Sequence, residues 1–255
     1  MVLPKFGFLP FAALAMLAGG PAWAGADLTI TVHYIERKPL HYRDEQGKLS
    51  GILVPLIEQS FAKAGIPMRW QLTPENRIMA TLKASEGYDC STAIYKSPER
   101  EAFARISPPI YRDKGMVVLT RVDYPAPAIT SAQELFSRPQ ARLMVKQGFV
   151  YGSYLDPMIE RMPPAQVQRV SDDISSMVRM VRAGIADFII LTGEEGEIYA
   201  DAAANAPDSI RLLHLSDLPA QEYRYIFCSR RVPQQVMDKL NAAIAGLQVD
   251  SPRHP

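Results

Sequence analysis

The pattern that most restricts what this chain can fold into is an alternation of strand and helix that runs twice, on either side of a short proline-rich break. In the first run, 28–34 (Leu-Thr-Ile-Thr-Val-His-Tyr) alternates apolar and polar residues as a strand does. After the turn residues Asp44-Glu45-Gln46-Gly47, the stretch 55–64 sets Leu56, Ile57 and Phe61 on one helical face, with Gly65 as its C-cap. Residues 68–72 predict a strand, 76–85 a helix with Ile78, Met79 and Leu82 inward, and 89–94 a further strand. An apolar strand at 116–120 leads into Asp123-Tyr124-Pro125-Ala126-Pro127, where the composition breaks. The alternation then restarts. Ser131 and Glu134 form a capping box, 142–145 a strand, 175–183 an amphipathic helix ended by Gly184, and 187–191 a buried strand. Strands at 210–213 and 223–228 follow, and a last helix at 233–247 is apolar at Val236, Leu240, Ala243, Ile244 and Leu247. This is the pattern of the α/β class, and its repetition implies two lobes.

Residues 1–24 read as a secretory signal. Lys5 supplies the charge, the apolar stretch 6–17 is interrupted by Pro10 and too short to span a bilayer, and Ala22-Trp23-Ala24 is a small-x-small cleavage site. No cysteine near that site can carry a lipid anchor. Without Lys5 the 28 basic residues fall to 27 against 27 acidic ones, a balance that argues against a nucleic-acid partner. In an oxidising compartment Cys90 and Cys228 invite a disulfide, the alternative being two buried thiols. The sequence has no Gly-x-Ser-x-Gly elbow, phosphate loop or Cys-x-x-Cys pair, and its histidines lack metal-ligand spacing, so neither cofactor nor metal is expected.

The local chemistry centres on 88–100, Tyr-Asp-Cys-Ser-Thr-Ala-Ile-Tyr-Lys-Ser-Pro-Glu-Arg, a strand running into a helix. Ser97 can cap that helix, and Pro98 suits its first position. Arg100 then falls in the first turn, against the positive end of the helix dipole, an unfavourable place unless an anion shares it. With Lys96 just before the cap this is a seat for a carboxylate. The alternative is that Glu99 and Glu101 neutralise Arg100 on a solvated face.

The order of these pieces resembles the bacterial extracellular solute-binding proteins of family 3, which include the amino-acid-binding components of ABC transporters. The resemblance is carried by Pro39-Leu40-His41-Tyr42, Gly47-Lys48-Leu49-Ser50-Gly51, Tyr88-Asp89, Ser97-Pro98-Glu99-Arg100 with Ser107-Pro108-Pro109-Ile110-Tyr111, and Gly184-Ile185-Ala186-Asp187. It implies an α/β, type II periplasmic-binding-protein fold of two α/β lobes joined by hinge strands, closing on a ligand. By that analogy 1–24 is the signal peptide, 25–119 plus 221–255 the first lobe, 120–220 the second, and 116–120 and 223–228 the hinge strands. Cys90 and Cys228 would share the first lobe, which favours a bridge.

The resemblance also implies a site. Arg100 occupies the position of the arginine that clamps a ligand carboxylate with a bidentate fork. Ala93, Ile94 and Tyr95 would line the cleft, and backbone N–H groups of Lys146-Gln147-Gly148-Phe149 would help hold the carboxylate. Thr192, followed by Gly193-Glu194-Glu195, stands where amino-acid binders carry an aspartate for the ligand ammonium, and a hydroxyl cannot balance a buried cation. Either Glu194 or Glu195 takes that role, or the ligand has no α-ammonium; two acids at a solvated helix start are the plainer alternative. Tyr95 replaces a small hydroxyl residue and makes the floor more aromatic. Arg77 either points into the cleft or pairs with Glu75 at the surface, and Tyr34 either stacks on the ligand or is an ordinary strand tyrosine.

The function implied is capture of a small polar, carboxylate-bearing solute for an ABC-type importer, by a periplasmic monomer that meets a membrane permease without itself inserting. Two alternatives of the same fold are a periplasmic enzyme like cyclohexadienyl dehydratase, with Glu195 as acid and Arg100 holding substrate, and a soluble ligand-sensing module for a membrane receptor. The enzyme would need a glutamate with a raised pKa in a closed cleft.

Overall fold

The computed structural model describes residues 28–125, 129–203, 210–219 and 222–247; the expected signal segment 1–24 lies outside them. The first half of the chain forms β1 (Ile30–Tyr34), β2 (Tyr42–Arg43), β3 (Leu49–Ser50), α1 (Leu53–Ala64), β4 (Met68–Leu72), α2 (Glu75–Ala84), β5 (Asp89–Ile94), α3 (Pro98–Phe103) and β6 (Ala104–Arg112). The second half forms β7 (Met116–Arg121), α4 (Ala132–Phe136), β8 (Leu143–Lys146), α5 (Leu155–Arg161), β9 (Val167–Val170), α6 (Ile174–Arg182), β10 (Phe188–Thr192), α7 (Gly193–Ala203), β11 (Ile210–Leu213), β12 (Tyr223–Ser229) and α8 (Gln234–Ala245).

These strands build two five-stranded sheets, ordered β4-β1-β5-β12-β6 and β11-β7-β10-β8-β9. Read from β9, the second sheet repeats the plan of the first. In each, three parallel strands are followed by one antiparallel strand that enters directly from the other lobe: β12 in the first sheet, β7 in the second. The backbone therefore crosses between lobes twice, at 113–115 and again between β11 and β12, and the two crossings are hydrogen-bonded to each other through Asp113 N–H and the Glu222 carbonyl at 2.8 Å. The strands expected at 116–120 and 223–228 are these two crossing strands, and β7 pairs wholly within the second sheet.

Each sheet is covered on both faces, which is why β1 and β10 read as continuous buried runs. In the first lobe Ile30 and Val32 pack with Leu53, Ile57 and Phe61 of α1 and Leu240 and Ile244 of α8. In the second, α6 buries Met177, Val178 and Val181 against Val117, Leu119 and Ile189. Gly65 ends α1 in the left-handed conformation (φ 65°), and Asp173 caps α6 through Ser176 N–H at 2.7 Å. Among the strands that the sequence pattern does not announce, beside β2, β3 and β9, is β6, which contains Pro108-Pro109. It is an edge strand paired only with β12, the setting in which proline costs no ladder bond.

Cys90 and Cys228 face each other across β5 and β12 and are joined by a disulfide closing a sequence separation of 138 residues. The bridge pins the returning strand to the centre of the first sheet. Replacing both cysteines with alanine is expected to lower unfolding stability by about 3–5 kcal/mol, the loop-entropy scale for so long a loop. Urea denaturation of the two forms measures this, and an unchanged midpoint would contradict it.

Candidate functional site

Between the sheets lies a small inner cavity of about 40 Å³, lined on the first-lobe side by Tyr34, Arg37, His41, Glu75, Ile94, Tyr95, Arg100 and Arg224 and on the second by Phe149 and Val150. It adjoins an outer chamber of about 490 Å³ that Leu72, Thr73 and Asn76 wall from one lobe and Lys146, Gln147 and Asp173 from the other. Ile35, Arg37, Glu75 and Phe149 line both.

Arg100 reaches this place because α3 starts as its sequence predicts. Ser97 accepts the Arg100 N–H at 3.3 Å, Pro98 sits in the first turn, and the arginine is 6% exposed. Its guanidinium donates to the Tyr95 carbonyl at 3.1 Å and to the Gly148 carbonyl of the second lobe at 3.0 Å, and lies 3.4 Å from a Glu75 carboxylate oxygen. Burial lowers the Arg100 pKa, and the Glu75 charge only partly opposes that. The same burial raises Glu75, with Arg100, Arg37 and Lys146 offsetting part of it. Gly148 has φ +82°, and a Cβ there would come within 2.7 Å of the Asn76 side-chain oxygen, so the second-lobe loop approaches α2 this closely only with glycine.

A second ion pair crosses the cleft. Arg37, in the turn after β1, donates Nε and Nη2 to the two oxygens of Glu195 at 2.5 and 2.8 Å, and its guanidinium lies 4.5 Å from the Phe149 ring centre. Glu195 is fully buried. Its carboxylate also accepts the Thr192 N–H at 3.1 Å and hydroxyl at 3.3 Å, while Thr192 Oγ accepts the Glu195 N–H at 3.4 Å, a capping box that starts α7. Burial pushes the Glu195 pKa up, but the charge and hydrogen bonds of Arg37 outweigh it and hold the carboxyl below its usual range. Glu194 accepts from the Tyr111 hydroxyl at 2.9 Å and from Lys114 N–H at 2.6 Å. Neither glutamate is part of a solvated helix start.

At the crossings, Arg224 donates Nε to Asp113 at 2.7 Å and Nη2 to the Tyr95 hydroxyl at 3.1 Å, while Tyr95 donates to Asp113. The Tyr95 ring packs into the second-lobe core with Val118, Val145 and Tyr151. His41 is buried beside the Tyr34 and Trp70 rings, and burial, with the Arg224 and Arg37 charges, pushes its pKa down to about 3. Tyr34 is 2% exposed and its hydroxyl has no hydrogen-bond partner.

Of the residues expected from sequence, Arg100, Tyr95, Ile94, Tyr34 and Phe149 line the cavity, and Thr192 and Glu195 brace it. Lys96 does not: it is exposed, with its ammonium over the Tyr225 ring at 4.4 Å and 3.9 Å from Glu101. Arg77 is also exposed, because the first turn of α2 turns Glu75 rather than Arg77 inward. Gly148 offers Arg100 its carbonyl, and the neighbouring N–H groups of Gln147 and Phe149 are bonded to Val170 and Lys146 carbonyls at 2.7 and 3.2 Å. The side chain of Ala93 lies outside the described residues. Sequence reading missed Arg37, His41, Asp113 and Arg224, and assigned Glu75 only to Arg77. Thr192-x-x-Glu195 is the one signal that could have been read, as a capping box.

Among the described residues no group of three or more His, Cys, Asp or Glu is placed to hold a metal ion, and no helix is long and apolar enough to cross a membrane. Two α/β lobes around a buried, charged cleft define the two-lobed solute-binding architecture. Residues 30–251 match the bacterial extracellular solute-binding proteins, family 3, and the chain belongs to that family. No curated protein matches it by sequence. Among solved structures it is similar to an ancestral arginine-binding protein bound to arginine (TM-score 0.70, 17% identity, 88% of this chain and 93% of that one). It is also similar to the arginine-, lysine-, histidine-binding protein ArtJ of Geobacillus stearothermophilus (0.70, 15%, 86% and 88%) and to the periplasmic VFT2 domain of Bordetella pertussis BvgS (0.66, 22%, 89% and 91%). At such identities the likeness is one of fold.

The buried histidine gives a pH signature. His41 stays neutral in the fold, whereas the unfolded chain takes up a proton below about pH 6.5, so its contribution to stability is full above that pH and is lost as the pH falls toward about 3. A His41→Phe variant is expected to show a shallower loss of stability on acidification, by up to about 1.4 kcal/mol per pH unit. Urea denaturation across that range checks it, and equal slopes would contradict it.

Proposed function

We propose that this protein is a periplasmic solute-binding protein that captures a small carboxylate-bearing solute between its lobes and delivers it, as a monomer, to the permease of an ABC importer. Residues 1–24 direct its export. The lobes are 25–119 with 221–255, and 120–220, and they open and close about the two crossings; the pairing of all of β7 in the second sheet favours moving the first division to 113–115.

The observation that carries this reading is Arg100. It is a dry guanidinium at the lobe interface, bonded to carbonyls of both lobes, and its ion-pair partner among the described residues, Glu75, sits at 3.4 Å. A solute carboxylate offers two oxygens in the plane of the same fork, and exclusion of water from the closed cleft strengthens each bond. The ion pair at Glu195 favours binding over turnover, since an acid held ionised by Arg37 is the opposite of one poised to protonate a substrate.

The solute that co-purifies with exported protein, identified by native mass spectrometry, is the reagent for the test. At about 100 times its Kd it should stabilise the wild type by about 2.7 kcal/mol, a melting shift of about 5–10 °C for a chain of this size. Arg100→Ala should lose most of that shift. A variant that binds as tightly as the wild type would contradict the assignment.

A further inference from the structure

Next to the outer chamber, on the first-lobe sheet, three side chains that take no part in the charged cleft stand in a line. His33 of β1 is buried between Thr73, just past the end of β4, and Asp89, at the start of β5. Its Nδ1 lies 2.9 Å from the Thr73 hydroxyl and its Nε2 lies 3.0 Å from an Asp89 carboxylate oxygen. The sheet brings them together. β1 pairs in parallel with both β4 and β5, and His33 shares a face with Ser91 and Phe227, against which Ile78 and Leu82 of α2 pack. Thr73 continues that pairing through its N–H, which donates to the Tyr34 carbonyl at 3.0 Å.

The partners fix which way the proton can move. An ionised carboxylate only accepts, so the neutral imidazole carries its hydrogen on Nε2, and Nδ1 is left to accept from the Thr73 hydroxyl. The Gln71 carbonyl, at 3.4 Å, is the weaker competitor for that hydrogen. Hydroxyl, imidazole and carboxylate therefore stand in the order of nucleophile, base and orienting acid. Thr73 also lines the outer chamber of about 490 Å³, the size of a small-molecule site. Two residues further on begins α2, ten residues long, whose N-terminus has no side-chain cap. The Glu75 and Asn76 N–H groups have no partner within that helix.

We propose that this is a second, hydrolytic centre, in which Thr73 is an acyl-accepting nucleophile for carboxylic esters entering the outer chamber, His33 is its general base and Asp89 positions the imidazole. Thr73 Oγ attacks the ester carbonyl carbon while its proton passes to His33 Nδ1. The carbonyl oxygen gains charge, and the first-turn N–H groups of α2 are the donors available to it. The bond to the alcohol oxygen then breaks, and that oxygen leaves with the proton from Nδ1, so that the acyl group stays on Thr73. Water attacks the same carbon and gives its proton to Nδ1. The bond to Oγ breaks, Oγ recovers the proton, and a carboxylic acid departs. Nothing is oxidised or reduced. The centre is separate from solute capture and works whatever Arg100 holds.

The full-length exported protein, incubated with p-nitrophenyl butyrate, tests this. Release of p-nitrophenolate should be at least about 100-fold faster than in buffer alone, and acid-quenched protein should carry one butyryl group that peptide mapping places on Thr73. Thr73→Ala should remove both signals, while Thr73→Ser, which keeps the hydroxyl and the fold, should retain them. His33→Gln should slow acylation about 100-fold or more. Asp89→Asn can donate to Nε2 and so turn the ring hydrogen onto Nδ1; it should lower kcat by a similar factor with KM unchanged. Release no faster than in buffer, a butyryl group mapped elsewhere, or undiminished turnover by Thr73→Ala would overturn the proposal and leave the three residues as a polar tie between the β4–α2 turn and the sheet.

Discussion

A guanidinium from one lobe and a carboxylate from the other, both withdrawn from water, hold this cleft together. Arg37 and Glu195 are worth having in contact only when the lobes are closed, because each would otherwise be a charge stranded in a dry wall or rehydrated by opening. Their geometry is set by backbone on both sides. The turn after β1 is fixed by the bridge between Arg37 and His41, and Glu195 is fixed by the capping box at the head of α7. The second crossing pair, Arg224 with Asp113, then ties together the two points where the chain passes between lobes. With these two pairs matched, Arg100 and Glu75, at 3.4 Å, are the least tightly paired of the three.

The arrangement gives each part of the fold a distinct task. Each sheet with its apolar cover has its own core. Tyr95 passes from the end of β5 into the second-lobe core, so closure carries an apolar contribution as well as an electrostatic one. The disulfide secures β12, the strand that returns from the second lobe, to the centre of the first sheet.

Much of the architecture was legible in the sequence because it follows from local rules. Periodicity located β5, β11 and the helices α1, α2, α6 and α8 to within a few residues, and Gly65, Ser97-Pro98 and Ser131 marked helix ends that the structure confirms by geometry. The site was legible only in part. Arg100 was visible because a cation in a first helical turn asks for an anion, but beyond the nearby Tyr95 carbonyl its partners are a residue 25 positions away and a carbonyl 48 positions away. Arg37 lies 158 residues from Glu195, and Asp113 lies 111 from Arg224. No local pattern encodes such pairings. Lys96 and Arg77 misled because charge near a helix start says nothing about which side of the turn the side chain takes, and a spacing of two residues, about 200° around the helix, puts Glu75 in the cleft and Arg77 in solvent.

The central claim is that the cross-lobe pair of Arg37 and Glu195 holds the lobes together. Small-angle X-ray scattering of the solute-free protein and of Glu195→Gln measures this most directly. The wild type is expected to scatter as the closed form, and the variant, in which Arg37 loses its buried counter-charge, to show a larger radius of gyration. Superimposable curves from the two proteins would contradict the account.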